Sequence, residues 1–210
     1  MLSNFKHYVF TQFIVGSCYY IASTITPFKP IEMPLIAIDY FFIPHYSAFW
    51  IYMSFFFLLI AGITFCSKED SITCCKIVLL NSLFATIFFV FLPTRITYND
   101  YYPYIMDGTL TYDMVQLIKK YDNTSNCFPS LHIANSIVAT IYLNKNKSNI
   151  FKVFSTIWLL LVCWSVLSTK QHNFYDLTAG TILAFVSLYI VTNWKMLSEG
   201  GRKITKNIKS

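Results

Sequence analysis

Two of the four histidines in this chain stand in surroundings suited to phosphoryl chemistry. His132 closes the tetrapeptide Pro129-Ser130-Leu131-His132. Proline is favoured in the first turn of a helix, where its missing N–H has no intrahelical partner to lose, so a helix is predicted to start at Pro129. His132 then lies within about one pitch, roughly 5 Å, of that start. The unpaired N–H groups and positive dipole end there favour an anion, and the Ser130 hydroxyl adds a donor. His172 and Asp176 are four residues apart. On a helix that spacing puts both on one face, where the carboxylate accepts from one imidazole nitrogen and leaves the other as a directed nucleophile. Arg95 and Lys170 add cations for phosphate oxygens, the first able to bind in bidentate fashion and the second as a point charge.

Taken singly, each residue has an ordinary alternative. Ser130 fits a helix cap, His132 an interfacial histidine facing headgroups, and Arg95 or Lys170 a snorkelling cation at the end of a span. A histidine four residues before an aspartate also arises by chance. The specific signal is their co-location, which depends on the elements that carry them.

Those elements are membrane-like. The 210 residues are 55% hydrophobic, 19% aromatic and only 12% charged, with mean hydropathy +0.50, which excludes a water-soluble domain. Twenty phenylalanines and fifteen tyrosines are incompatible with disorder, and the net charge of +6 is not gathered into a nucleic-acid-binding stripe. Cys18, Cys66, Cys74, Cys75, Cys127 and Cys163 are scattered among apolar runs and read as packing residues, not as a disulfide framework or zinc ligands.

Six stretches approach the roughly 17 to 25 apolar residues of a spanning helix: 8–26, 47–66, 75–94, 129–143, 151–169 and 173–194. The first resembles a signal peptide, with Val15-Gly16-Ser17-Cys18 as a loose cleavage site, but its length favours a retained helix. Lysine and arginine collect on the cytoplasmic side. With both termini inside, eleven of the sixteen basic residues fall in cytoplasmic segments, including a basic tail over 195–210. Leu35 to Ile43 is too short to cross and is expected at the outer interface, and 96–127 forms the largest outer loop, a lid over the site. Arg95, the Ser130–His132 segment and the Lys170–Asp176 segment then share the outer level. Ionisable groups near membrane depth are costly and tend to be functional.

The segments Cys127-Phe128-Pro129-Ser130-Leu131-His132 and Ser168-Thr169-Lys170-Gln171-His172-Asn173-Phe174-Tyr175-Asp176 resemble the second and third signature motifs of the type 2 phosphatidic acid phosphatase (PAP2) superfamily, particularly its inositolphosphotransferase-like branch. The resemblance covers roughly residues 40–190. It implies a single all-α integral membrane domain of six helices, with the active site at the extracytoplasmic ends of helices three, four and six. It also implies catalysis without a metal or other cofactor. By that resemblance His172 is the nucleophile that forms a phosphohistidine, Asp176 orients it, His132 protonates the leaving group, and Ser130 contacts phosphate.

The chain departs from the family pattern twice. The first motif, a lysine six residues before an Arg-Pro pair, is absent, and Phe91-Leu92-Pro93-Thr94-Arg95 offers Arg95 alone. In the third motif the expected arginine is Val166, with Lys170 as the substitute cation. The expected activity is hydrolysis of a lipid phosphomonoester or diphosphate at the outer face of a plasma or inner membrane. The expected partners are a lipid phosphate and the bilayer, with no nucleic acid. Three rivals stand beside it: a lipid phosphotransferase, a metal hydrolase using His132, His172 and Asp176 as ligands, and a channel or transporter. The last would need polar residues through several span middles, whereas Phe55 to Ile60 and Ile157 to Val162 are almost wholly apolar.

Overall fold

The computed structural model describes residues 1–96, 108–121 and 125–208, and these are mostly helical. In chain order the elements are α1 (Leu2–Ile25), β1 (Ile31–Glu32), a 3₁₀ turn (Ala37–Phe41), α2 (Tyr46–Met53), α3 (Phe55–Thr64), α4 (Lys68–Phe91), β2 (Thr94–Arg95), α5 (Leu110–Tyr121), α6 (Leu131–Leu143), α7 (Asn149–Ser168) and α8 (Phe174–Ile208). Helices form over all six apolar stretches. Among the described residues four segments are long and apolar enough to cross a membrane: Ser47–Thr64, which joins α2 to α3 through Ser54, then α4, α7 and Phe174–Trp194 of α8. The expected basic tail continues α8 as far as Ile208.

Local chemistry sets the helix starts. Ser67, Ser130 and Ser148 cap α4, α6 and α7, each hydroxyl accepting from the backbone N–H three residues on. A serine in this role satisfies one of the orphan donors of the first turn and stabilises a helix by about 1 kcal/mol over alanine. For α6 this corrects the sequence expectation. The helix begins at Leu131 with Ser130 as its cap, and Pro129 lies before it in the entering chain.

The thirteen-residue α6 is only about 20 Å long, short of the roughly 30 Å hydrocarbon thickness. It is the inner helix of the bundle, packed by α3, α4, α7 and α8, and ten of its residues are buried. Two glycines permit the close approaches. A Cβ on Gly62 of α3 would lie 2.5 Å from the carbonyl oxygen of Ala139, and one on Gly180 of α8 would lie 2.5 Å from that of Ser130. Small residues at such crossings let helix backbones meet, the main source of packing energy between helices in lipid.

One core cluster runs through this centre, including Leu58, Leu59, Ile63, Ile77, Val78, Phe89, Val138 and Tyr142. Buried polar groups lie within it. The Asn81 side-chain N–H donates to the Asn135 side-chain oxygen at 3.0 Å, joining α4 to α6, and Ser82 and Ser136 are also buried. The middles of α4 and α6 are thus less apolar than those of α3 and α7. Outward, Phe154, Leu160, Phe185 and Tyr189 are exposed, an apolar surface that suits lipid.

At one end, the chain leaving α4 meets the chain entering α6. β1 and β2 pair in parallel, Ile31 with Thr94 and Glu32 with Arg95. Thr94 also bridges Asn126, and its hydroxyl accepts from the Phe128 N–H at 3.0 Å. In the expected lid, α5 docks on α2 through Val115 against Phe49, and the Trp50 indole N–H donates to the Thr111 hydroxyl at 3.0 Å. Lid residues 97–107 and 122–124 lie outside the described residues. None of the six cysteines is joined in a disulfide.

Candidate active site

The third-motif segment reaches α6 because the chain doubles back at the end of α7. Thr169 donates its N–H to Ser165 at 2.7 Å, and Lys170 then takes a left-handed conformation with φ 54°. Such a backbone costs a non-glycine residue roughly 1–2 kcal/mol. The His172 N–H donates to the Val166 carbonyl at 3.2 Å, so the histidine lies back along α7 and not beyond its end. Asn173 and Asp176 then start α8 with reciprocal bonds. Asp176 Oδ2 accepts from the Asn173 N–H at 3.2 Å, and Asn173 Oδ1 accepts from the Asp176 N–H at 2.9 Å. This is the capping-box arrangement with an Asn-x-x-Asp sequence. His172 therefore precedes the helix, which begins at Phe174, and its contact with Asp176 comes from this cap and not from two positions on one helical face.

The Ser130 N–H donates to the Asp176 carbonyl at 3.2 Å, joining the start of α6 to the first turn of α8. The two histidines meet there. His132 Nδ1 lies 3.2 Å from His172 Nε2, and His172 Nδ1 lies 3.2 Å from Asp176 Oδ2. Ser130 and Asp176 are fully buried, His172 is nearly so, and His132 is partly buried. An ionised Asp176 can only accept, so His172 Nδ1 carries a proton, and neutral His172 presents a bare Nε2 toward His132. That arrangement can deliver a nucleophilic nitrogen and a proton carrier to the same point. Among the described residues no donor reaches Asp176 Oδ1, which leaves carboxylate charge available to a ring that becomes cationic.

The three titratable groups are strung in series, with the carboxylate behind His172. They do not converge on one centre as metal ligands must, and no group of three or more His, Cys, Asp or Glu among the described residues is placed to hold a metal ion.

The two cations sit differently. The Arg95 guanidinium donates to Glu32 at 2.7 Å in an exposed ion pair, an interaction set by the β1–β2 pairing. The Lys170 ammonium donates to the backbone carbonyl of Asp39 at 2.8 Å. Burial holds Lys170 below the ordinary lysine pKa, opposed by the Asp39 carboxylate. At the third-motif position where the family pattern has arginine, Val166 is fully buried in an apolar cluster with Tyr52, Ile133 and Leu167.

A sequence profile of the PAP2 superfamily matches residues 36–190, most of the chain and both histidine segments. The chain belongs to the PAP2 superfamily. No curated protein and no solved structure matches it significantly. PAP2 membership suggests phosphatase or phosphotransferase chemistry, and the apolar helices suggest a membrane protein.

Two residues of this PAP2 site were not evident from the sequence. The Tyr52 hydroxyl lies 2.8 Å from His132 Nε2, with ring centroids 4.9 Å apart. Buried Asp39, on the 3₁₀ turn, accepts from the Phe174 N–H at 2.8 Å and the Ile36 N–H at 2.9 Å, holding the start of α8. Asp39 carried a signal, a lone acid in an otherwise apolar stretch. Tyr52 carried none, being one tyrosine of fifteen, in a span where aromatics are ordinary.

Proposed function

We propose that the protein is an integral membrane phosphatase of six helices with both termini cytoplasmic, which hydrolyses a lipid phosphomonoester or diphosphate at the outer face through a phosphohistidine. The observation that carries this reading is the His132–His172–Asp176 series, with Nδ1 of one imidazole facing Nε2 of the other at 3.2 Å. In the first step His172 Nε2 attacks phosphorus and the bond to the lipid oxygen breaks. His132, entering as an imidazolium, gives its Nδ1 proton to that oxygen. In the second step neutral His132 takes a proton from water as the hydroxide oxygen attacks phosphorus. The P–N bond breaks, phosphate leaves, and His172 is restored. Asp176 stabilises the cationic phosphoimidazole from behind. The Ser130 hydroxyl, its lone pair engaged by the Ile133 N–H, keeps its own proton for a phosphate oxygen. Lys170 and Arg95 are the cations assigned to the transferring oxygens, a role that requires them to exchange Asp39 and Glu32 for phosphate.

A second reading is favoured by the apolar surroundings of Val166 and by the Lys170 substitution. In that reading the acceptor is a second lipid, as in the inositolphosphotransferase-like branch. Purified protein supplied with lipid phosphates, with and without an acceptor lipid, tests both readings. Release of inorganic phosphate that is lost in His172→Ala supports the first. Transfer to the acceptor without phosphate release replaces it with the second.

A further inference from the structure

His132 must serve as acid and then as base through one nitrogen, and something must keep the other nitrogen out of the reaction. We propose that Tyr52 is the positioning residue that does so, an inference that rests on the phosphohistidine reading above. Its hydroxyl meets His132 Nε2 at 2.8 Å, on the side of the ring opposite the 3.2 Å contact between Nδ1 and His172.

The direction of these hydrogen bonds follows from Asp176. The carboxylate accepts from His172 Nδ1, so neutral His172 Nε2 is bare and accepts from His132 Nδ1. Neutral His132 then has a bare Nε2, and the Tyr52 hydroxyl donates to it. When His132 becomes an imidazolium its Nε2 gains a proton, and the same hydroxyl rotates to accept it. After the Nδ1 proton passes to the leaving oxygen, Nε2–H stays bonded to Tyr52 and the bare Nδ1 faces the incoming water. A hydroxyl supports all three states because it both donates and accepts. A carbonyl or an ammonium supports only some of them.

The surroundings fix the phenol in this place. Tyr52 is buried and packs with Ile133, Val166 and Leu167, so its ring has little freedom. Phe55, on the other side of the α2–α3 junction, meets the His132 imidazole edge-on with centroids 4.8 Å apart. Between the two aromatics the Ser54 hydroxyl accepts from the Trp158 indole N–H of α7 at 2.9 Å, anchoring the junction. The imidazole is thus held by an apolar ring on one side and a hydrogen-bonding ring on the other, and only the second can distinguish its nitrogens.

The test uses Tyr52→Phe, which keeps the ring and its packing. For an alkyl phosphate that needs protonation on leaving, kcat/KM is expected to fall about 10- to 100-fold, a part of the roughly 10²- to 10⁴-fold that proton transfer contributes, because Tyr52 acts through His132. For an aryl phosphate with a good leaving group kcat/KM stays within a few fold. Phosphohistidine on His172 accumulates with the aryl substrate, because water activation is slowed. An equal loss on both substrates without accumulation, or no loss on either, overturns the proposal. Nitrogen-15 spectra of histidine-labelled protein, which need no substrate, should show His132 Nε2 as a hydrogen-bond acceptor in the wild type and without that bond in Tyr52→Phe. Identical spectra likewise overturn the role of Tyr52. Absence of phosphohistidine from a turning-over wild type overturns the functional reading itself, whatever the spectra show.

Discussion

At the scale of single residues the account divides labour between two imidazoles in contact. His172 must be neutral to attack and His132 protonated to release the alkoxide, so the active fraction is the product of two populations and rate against pH is bell-shaped when chemistry limits turnover. His132→Ala should flatten the limb that requires a proton. It should cost an alkyl phosphate about 10²-fold or more while sparing an aryl phosphate, read as phosphohistidine formation in a single turnover. Equal losses on the two substrates would make His132 a binding residue. Lys170 yields a separate expectation. A lowered ammonium pKa means that the neutral amine appears at lower pH than in an exposed lysine. Acylation mapped by mass spectrometry should therefore give Lys170 a lower pH midpoint than a lysine in a short water-soluble peptide, and a midpoint at or above that of the peptide would contradict its burial beside Asp39.

At the scale of elements, the site depends on how closely α8 rides on α6. Gly180→Ala sets a methyl against the Ser130 carbonyl at 2.5 Å, a contact that backbone must relieve by moving. Overpacking of this kind costs about 1–3 kcal/mol. Because Asp176 lies in the first turn of α8 and holds His172 from there, activity should fall further than the loss of stability alone explains, as shown by kcat beside thermal unfolding in detergent. Asp39→Asn should also loosen the start of α8, since one of its two accepting oxygens becomes an NH₂ facing a backbone N–H, at about 1–3 kcal/mol. The six apolar stretches were legible as helical, α6 and α7 closely in their bounds. However, α1 and α4 begin well before the apolar runs, at Leu2 and Lys68, α8 continues to Ile208, the second stretch is broken into α2 and α3, and α5 stands where only a lid loop is expected. The pairing of His172 with Asp176 was legible too, though for the wrong local reason. Spacing suggested a helical face, whereas the contact is made by the Asn173–Asp176 cap and the reversal at Lys170. That reversal could not be read, because a left-handed lysine is held by the bonds around it and not by its own preference. Arg95 reads as the nearest counterpart of a first motif that is otherwise absent, but the short β1–β2 pair that gives it Glu32 joins segments more than sixty residues apart and leaves no local pattern.

At the scale of the whole molecule, α6 sits among α4, α7, α8 and the joined α2–α3 segment, with most of its residues buried, so in the proposed reaction a lipid substrate brings its phosphate in from the side. The proposed orientation rests on the distribution of charge. A reporter fused after Ser210 should be cytoplasmic and one inserted near Asp107, outside the described residues, external; the reverse result moves the site to the cytoplasmic face. In the proposed mechanism one covalent bond, that between phosphorus and His172 Nε2, links the charge topology to the chemistry. The most direct measurement is therefore to quench turnover of a radiolabelled lipid phosphate in alkali, where phosphohistidine survives, and to map the label by peptide sequencing. The account predicts label on the peptide containing His172, none in His172→Ala, and a larger labelled fraction when His132 is replaced and an aryl phosphate is used. Turnover with no label at His172, or near-normal turnover by His172→Ala, would contradict it.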